Sequence, residues 1–202
     1  MTQTDQALSP ISETQQQALR QIAENSSLEA ADAFSQLLLR EITATVPNAQ
    51  ILSLSDAVEQ LGSPADAVTA AWVPVVGQIE ASVLLLFDDA SVARLCEILD
   101  VQQFTELGQS AIGEVANIIG TRYVRGIAQA CKMTFEPEPP EVASGMLGAV
   151  VGTVLAMSSI VTNYALLVDT VLEVPDNTCS VRFLFIPSDS SVKALIDNLG
   201  AA

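Results

Sequence analysis

Ser110, Glu114, Asn117 and Thr121 follow one another at intervals of four, three and four residues. At about 100° per residue in a helix, they fall in a stripe about 60° wide. Ile112, Val115, Ile118 and Ile119 point broadly the other way, so the apolar side can be buried while the polar stripe meets solvent. A carboxamide both donates and accepts hydrogen bonds, whereas an ionised carboxylate only accepts. Asn117 can therefore act as both donor and acceptor, and Glu114 as an acceptor. Ser110 has no visible base to activate its hydroxyl and reads as support rather than as a nucleophile. An ordinary amphipathic helix would show the same spacing, so periodicity alone does not make this stripe a site.

The composition narrows the chemistry. The chain has 202 residues and no histidine, which removes histidine-based triads, imidazole zinc sites and the usual acid-base group near neutral pH. Cys96, Cys131 and Cys179 are widely spaced among apolar residues, with no C-x-x-C pattern, and read as buried, inert thiols suited to a reducing cytosol. No metal site of the chain's own is expected. Twenty-four acidic against eight basic residues give a net charge of −16, which repels phosphate backbones and anionic lipid, so neither nucleic acid nor a membrane is an expected partner. Half the residues are apolar, a globular composition. Residues 142–168 carry no charged side chain, a length that could cross a bilayer. Serine, threonine and asparagine break that stretch up, and it reads as a packed helix followed by a buried strand. Met1 to Glu13 lacks the basic start and apolar run of a secretory signal and reads as a flexible leader, with one domain over 14–202.

The elements that must position the stripe come in two similar sets, one over about 14–100 and one over about 104–202. Gln15 to about Val46 reads as helical, with Asn25, Ser26 and Ser27 as a candidate interruption. Gln50–Leu54, Val68–Val73 and Gln78–Phe87 read as strands, the last two as a hairpin, before a helix over Asp88–Asp100. The second set opens with a helix from about Phe104 to Thr134, then a turn through Pro137, Pro139 and Pro140, and a small-residue helix from Ala143 to about Met157. Strands over Ala165–Glu173 and Ser180–Ile186 follow, flanking a turn at Pro175, Asp176 and Asn177, and Ser188–Leu199 closes as a helix. Ser91, Val92, Leu95 and Leu99 recur one hundred positions on as Ser191, Val192, Leu195 and Leu199, a mark of internal duplication. Hairpins require antiparallel pairing, so the expected fold is α+β: an antiparallel β-sheet flanked by long helices, with a pseudo-twofold repeat.

Ser110-x-x-x-Glu114-x-x-Asn117, followed after twenty-two residues by Pro140, resembles the active-site signature of the CheC/CheX/FliY family of response-regulator phosphatases. The order of helices and hairpins is similar to that of CheC along nearly the whole chain after the leader. The resemblance implies a cytoplasmic enzyme of chemotaxis or related two-component signalling that hydrolyses the aspartyl phosphate of a CheY-type receiver. It implies Asn117 positioning the attacking water and Glu114 docking to the receiver's lysine, with Ser110, Thr121 and Pro140 in support. The receiver brings its own Mg2+, so no cofactor is expected on this chain.

CheC-like proteins often carry two such sites. Stepping back ninety-three positions puts Gln17, Gln21 and Glu24 where Ser110, Glu114 and Asn117 stand, and Pro47 where Pro140 stands. Glu24 accepts but cannot donate, and its charge repels phosphoryl oxygens, so Gln21 and Glu24 mark a degenerate first site. Two rival readings accompany the enzyme. One is a catalytically weak adaptor that binds a receiver or the CheD deamidase, a partner the resemblance also implies. The other is a part of the flagellar switch, as in the FliY branch, whose additional switch-binding domain is not expected here. Arg122 and Arg125, just beyond the stripe, read as solvated cations within reach of an acidic partner.

Overall fold

A computed structural model describes residues 12–103, 105–158, 162–174 and 177–199. Of the leader expected over 1–13, residues 1–11 lie outside these, as do Phe104 and the turn residues Pro175 and Asp176. Ser12 and Glu13 open the first helix. The elements are α1 (Glu13–Leu38), β1 (Thr43–Ser53), α2 (Leu54–Leu61), β2 (Ala67–Gly77), β3 (Ala81–Asp88), α3 (Asp89–Ile98), α4 (Glu106–Ala130), β4 (Phe135–Pro137), β5 (Glu141–Met146), α5 (Leu147–Ser158), β6 (Tyr164–Val174), β7 (Asn177–Pro187) and α6 (Asp189–Leu199).

Helix α1 starts at a capping box in which the Ser12 hydroxyl accepts from the Gln15 N–H and the Gln15 side chain accepts from the Ser12 N–H. It does not break at Asn25, Ser26 and Ser27. Both serines are buried, and the Ser27 hydroxyl donates to the Glu24 carbonyl at 2.8 Å, so its polarity is met inside the helix. The helix stops well short of Val46. Leu39 takes a left-handed conformation (φ 51°), and the β-branched Thr43, Thr45 and Val46 with Pro47 enter β1 instead.

Every strand pairing is antiparallel, in the order β1-β6-β7-β3-β2, with β4 and β5 both on the outer edge of β2. Exchanging the two halves maps this order onto itself. Leu84 of β3 faces Leu184 of β7 at the centre, one hundred positions apart, so the repeat inferred from Ser91 and Ser191 is also the register of the sheet. In the first half, β1 runs unbroken through a register shift between Thr45 and Asn48, beside Pro47. Its counterpart is split into β4 and β5 by Glu138, Pro139 and Pro140.

Alternate residues of the central strands enter two cores. Val83, Leu85, Phe183 and Phe185 face α1, α4, α3 and α6, while Leu84, Leu86, Leu184 and Ile186 face α2 and α5. Both faces are covered, which is why these strands read as continuous apolar runs.

Two expectations need correction on the α2 and α5 side. The helix expected from Ala143 begins only at Leu147, because Glu141–Met146 pairs with β2, with Ala143 opposite Ala70. Small residues carry little strand propensity of their own. The otherwise open edge of β2 decides. Helix α2 was not expected. Its sequence signal is the cap, where the Ser53 hydroxyl accepts from the Asp56 N–H at 3.1 Å. The charge-free stretch 142–168 divides among β5, the 12-residue α5 and β6, and among the described residues no helix is long and apolar enough to cross a membrane.

Candidate active site

Helix α4 presents the polar stripe to solvent because its opposite side is committed to the core. Its start is capped by the Thr105 hydroxyl, which accepts from the Gly108 N–H at 3.0 Å. Ile112, Val115, Ala116, Ile119, Tyr123, Val124 and Ile127 are buried against the sheet and α1. Tyr123 stacks on Phe183, with ring centroids 4.8 Å apart, and its hydroxyl shares a 2.6 Å hydrogen bond with Thr170 of β6. Burial pushes the phenol up to about 12, so it stays protonated and anchors the helix. Together with the other buried residues of α4, this packing sets the rotation of the helix and therefore the direction of the stripe.

Ser110 and Glu114 are exposed, and Asn117 and Thr121 are half-buried on the same face. The Thr121 hydroxyl donates to Asn117 Oδ1 at 3.5 Å, at the long limit of a hydrogen bond. The stripe forms one wall of an open groove of about 610 Å³, together with Glu106, Gln109 and Gly113. The other wall is the segment from Pro137 to Pro140 with Val142, where the split between β4 and β5 leaves room. That segment is tied back to the sheet by the Glu138 N–H donating to the Pro74 carbonyl at 2.8 Å. All four stripe positions and Pro140 thus lie near one another, with Ser110, Glu114, Asn117 and Pro140 lining the groove itself. The sequence did not point to Gly113 or Glu138. Gly113 carries no side-chain signal, and the place of Glu138 depends on how the loop folds back.

The groove is acidic, with Glu106, Glu114 and Glu138 on its walls and no cation among them. Arg122 instead reaches Glu29 of α1 at 3.9 Å, an exposed pair of little energetic weight, and Arg125 is exposed. The three thiols are buried, and burial raises all of them, Cys131 and Cys179 to about 11. They remain protonated near neutral pH and supply no nucleophile. Among the described residues no three histidine, cysteine, aspartate or glutamate side chains form a group able to hold a metal ion.

The corresponding face of α1 is occupied differently. Gln21 donates to Asn25 Oδ1 at 3.1 Å on the surface, tying up two amides with each other, and Glu24 is exposed beside them. Glu24 falls where Asn117 falls, because every one of the eight buried residues of α1 has a buried residue of α4 ninety-three positions on, from Leu19 and Ile112 to Phe34 and Ile127.

Residues 107–144 match the model of the CheC-like family, over the segment that runs from the first turn of α4 into β5. The resemblance to that family holds. The chain is also 27% identical to the CheY-P phosphatase CheC of Bacillus subtilis (strain 168), an alignment covering 95% of this chain and 97% of that protein. Among solved structures, Thermotoga maritima FliY superposes with a TM-score of 0.72 at 16% identity, covering 96% of this chain and 99% of that one. The FliM middle domain from H. pylori superposes with a TM-score of 0.68 at 9% identity, covering 93% of this chain and 99% of that one. These likenesses establish the fold, mixed helix and antiparallel sheet, for this chain.

Proposed function

We propose that the chain accelerates hydrolysis of the aspartyl phosphate on a response-regulator receiver domain, of the CheY type. The observation that carries this reading is the pair Glu114 and Asn117, one helical turn apart on the solvent-facing side of α4 and together lining an open groove. An acyl phosphate is already activated, so the helper protein need only hold water in line with the phosphorus–oxygen bond and avoid adding charge beside the phosphoryl oxygens. Asn117 meets both needs: its carbonyl accepts from the water, its amide group donates, and it is neutral. Glu114 receives the receiver's phosphate-binding lysine and so fixes the approach. The Mg2+ that neutralises the phosphoryl group comes with the receiver.

Water positioning of this kind needs to supply only about 3 to 4 kcal/mol for an acceleration of about 10² to 10³. No base is required, in keeping with a chain that lacks histidine. The name of the B. subtilis relative supports the same substrate class. The alternative is a CheC-like adaptor, weak in turnover, that binds a receiver or the CheD deamidase. The FliM middle domain has the same fold, and fold alone does not separate an enzyme from a binding module. The deciding experiment follows the decay of phosphorylated receivers from the same organism with and without the chain. Faster decay that disappears in Asn117→Ala supports the phosphatase. Tight binding with unchanged decay across the whole panel leaves the adaptor.

A further inference from the structure

Gly113 occupies an expensive position without a reason inside the protein. It lies two turns into α4, inside the helix, where glycine is destabilising relative to alanine. The other glycines of this helix explain themselves. A Cβ on Gly120 would sit 3.2 Å from Leu85 in the core, one on Gly126 would collide with the Ser26 hydroxyl of α1, and one on Gly108 with the Gln102 carbonyl. A Cβ on Gly113 would meet only Val142 Cγ2, at 3.4 Å, which is ordinary contact. Among the described residues nothing excludes a methyl group there.

Position 113 is instead a wall of the groove. Viewed down the helix it lies about 40° round from Asn117, on the side of Val142 and away from Glu114. A side chain at 113 would point into the space through which anything approaching Asn117 from the β5 side must pass. In the first half the corresponding residue, ninety-three positions back, is the exposed Arg20. The face that lacks the glutamate–asparagine pair is also the face whose notch is filled.

We infer that Gly113 is a specificity-determining notch: it leaves room for the loop of the receiver that bears the acyl phosphate, so that the phosphoryl group can come within hydrogen-bonding reach of Asn117. The inference rests on the proposed phosphatase reading and adds to it a steric determinant separate from the Glu114 and Asn117 chemistry. Gly152 in α5 provides the control, because a Cβ there meets nothing within 4 Å and the residue does not line the groove.

The test compares Gly113→Ala, Gly113→Leu and Gly152→Ala with the parent chain. It uses receivers phosphorylated with acetyl phosphate for turnover and receivers loaded with beryllofluoride for binding. Both alanine variants should raise Tm by about 2 to 4 °C. Gly152→Ala should keep full activity, whereas Gly113→Ala should lose about tenfold in kcat/KM and Gly113→Leu about a hundredfold, with binding to the loaded receiver weakened in step. If Gly113→Leu unfolds, the alanine variant decides. Parent-level activity and binding in Gly113→Ala, and in Gly113→Leu where it folds, overturn the notch while leaving the phosphatase reading intact. Binding without turnover by the parent, abolished in the Gly113 variants, overturns the phosphatase reading and keeps the notch. A parent that neither turns over nor binds any receiver of the panel removes both.

Discussion

Helices α1 and α4 sit at equivalent places in the two halves, and a shift of ninety-three residues superposes their caps, Ser12 on Thr105, and all eight buried positions of α1. On the solvent side the correspondence ends. Gln17, Arg20, Gln21 and Glu24 stand opposite Ser110, Gly113, Glu114 and Asn117, and Glu29 stands opposite Arg122, with which it forms an ion pair across the two helices. Packing holds the buried positions to residues of suitable size, since interiors are close-packed and feel a change of one methylene. Exposed positions carry no such demand, so one half can hold Glu114 and Asn117 while the other carries unrelated polar and charged residues. The strand beside each helix differs in the same sense. β1 is continuous past Pro47, whereas the residues 138–140 part β4 from β5 and open the groove.

The sharpest test of this asymmetry is Asn117→Ala, which should abolish the acceleration, a loss of about 10² or more in receiver dephosphorylation, while Tm stays within about 2 °C. Loss of activity in Glu24→Ala with none in Asn117→Ala would reverse the assignment of the halves. Glu114→Ala should raise the apparent KM for phosphorylated receiver by about tenfold through the lost docking contact, read from initial rates at varied receiver concentration. Rebuilding the pair in the first half, with Gln21→Glu and Glu24→Asn in an Asn117→Ala background, should restore less than about a tenth of parent activity, because the unbroken β1 and Arg20 leave the approach closed. Full rescue would mean that the pair suffices without a groove.

Smaller effects are expected on stability. Tyr123→Phe removes the hydrogen bond to Thr170 and should cost about 1 kcal/mol in chemical denaturation, with turnover changed little. The buried Cys131 and Cys179, at about 11 in the folded chain against 9.0 when unburied, keep their protons between those values while the unfolded chain loses them. The unfolded state then binds fewer protons, so stability should fall as pH rises from about 9 to 11. Urea midpoints at pH 8 and pH 10 measure that slope.

Much of this molecule was legible from local pattern. The stripe at Ser110, Glu114, Asn117 and Thr121 follows from helical period alone, and the hairpin of β2 and β3 follows from two apolar runs around a glycine turn. The α+β antiparallel architecture follows from the hairpins, and the repeat from serine and leucine one hundred residues apart. What local pattern misread was settled by distant partners. Ala143–Met146 lacks the β-branched and aromatic residues that favour strands, yet it becomes part of β5 because β2 offers an unpaired edge some seventy residues earlier in the chain. Val46 belongs to a strand and not to α1 because β6 pairs with that region from the other half.

The sequence by itself determined which side chains share a face, since helix and strand periods are properties of the backbone and need no partner. Only the tertiary structure decided which of those faces stands over open space. Tyr123 and the buried ridge of α4 set its rotation against the sheet, and the loop through Pro139 and Pro140 folds back to form the second wall. A groove is made by segments that meet in space, and the spacing of residues along one helix carries no information about what stands opposite it.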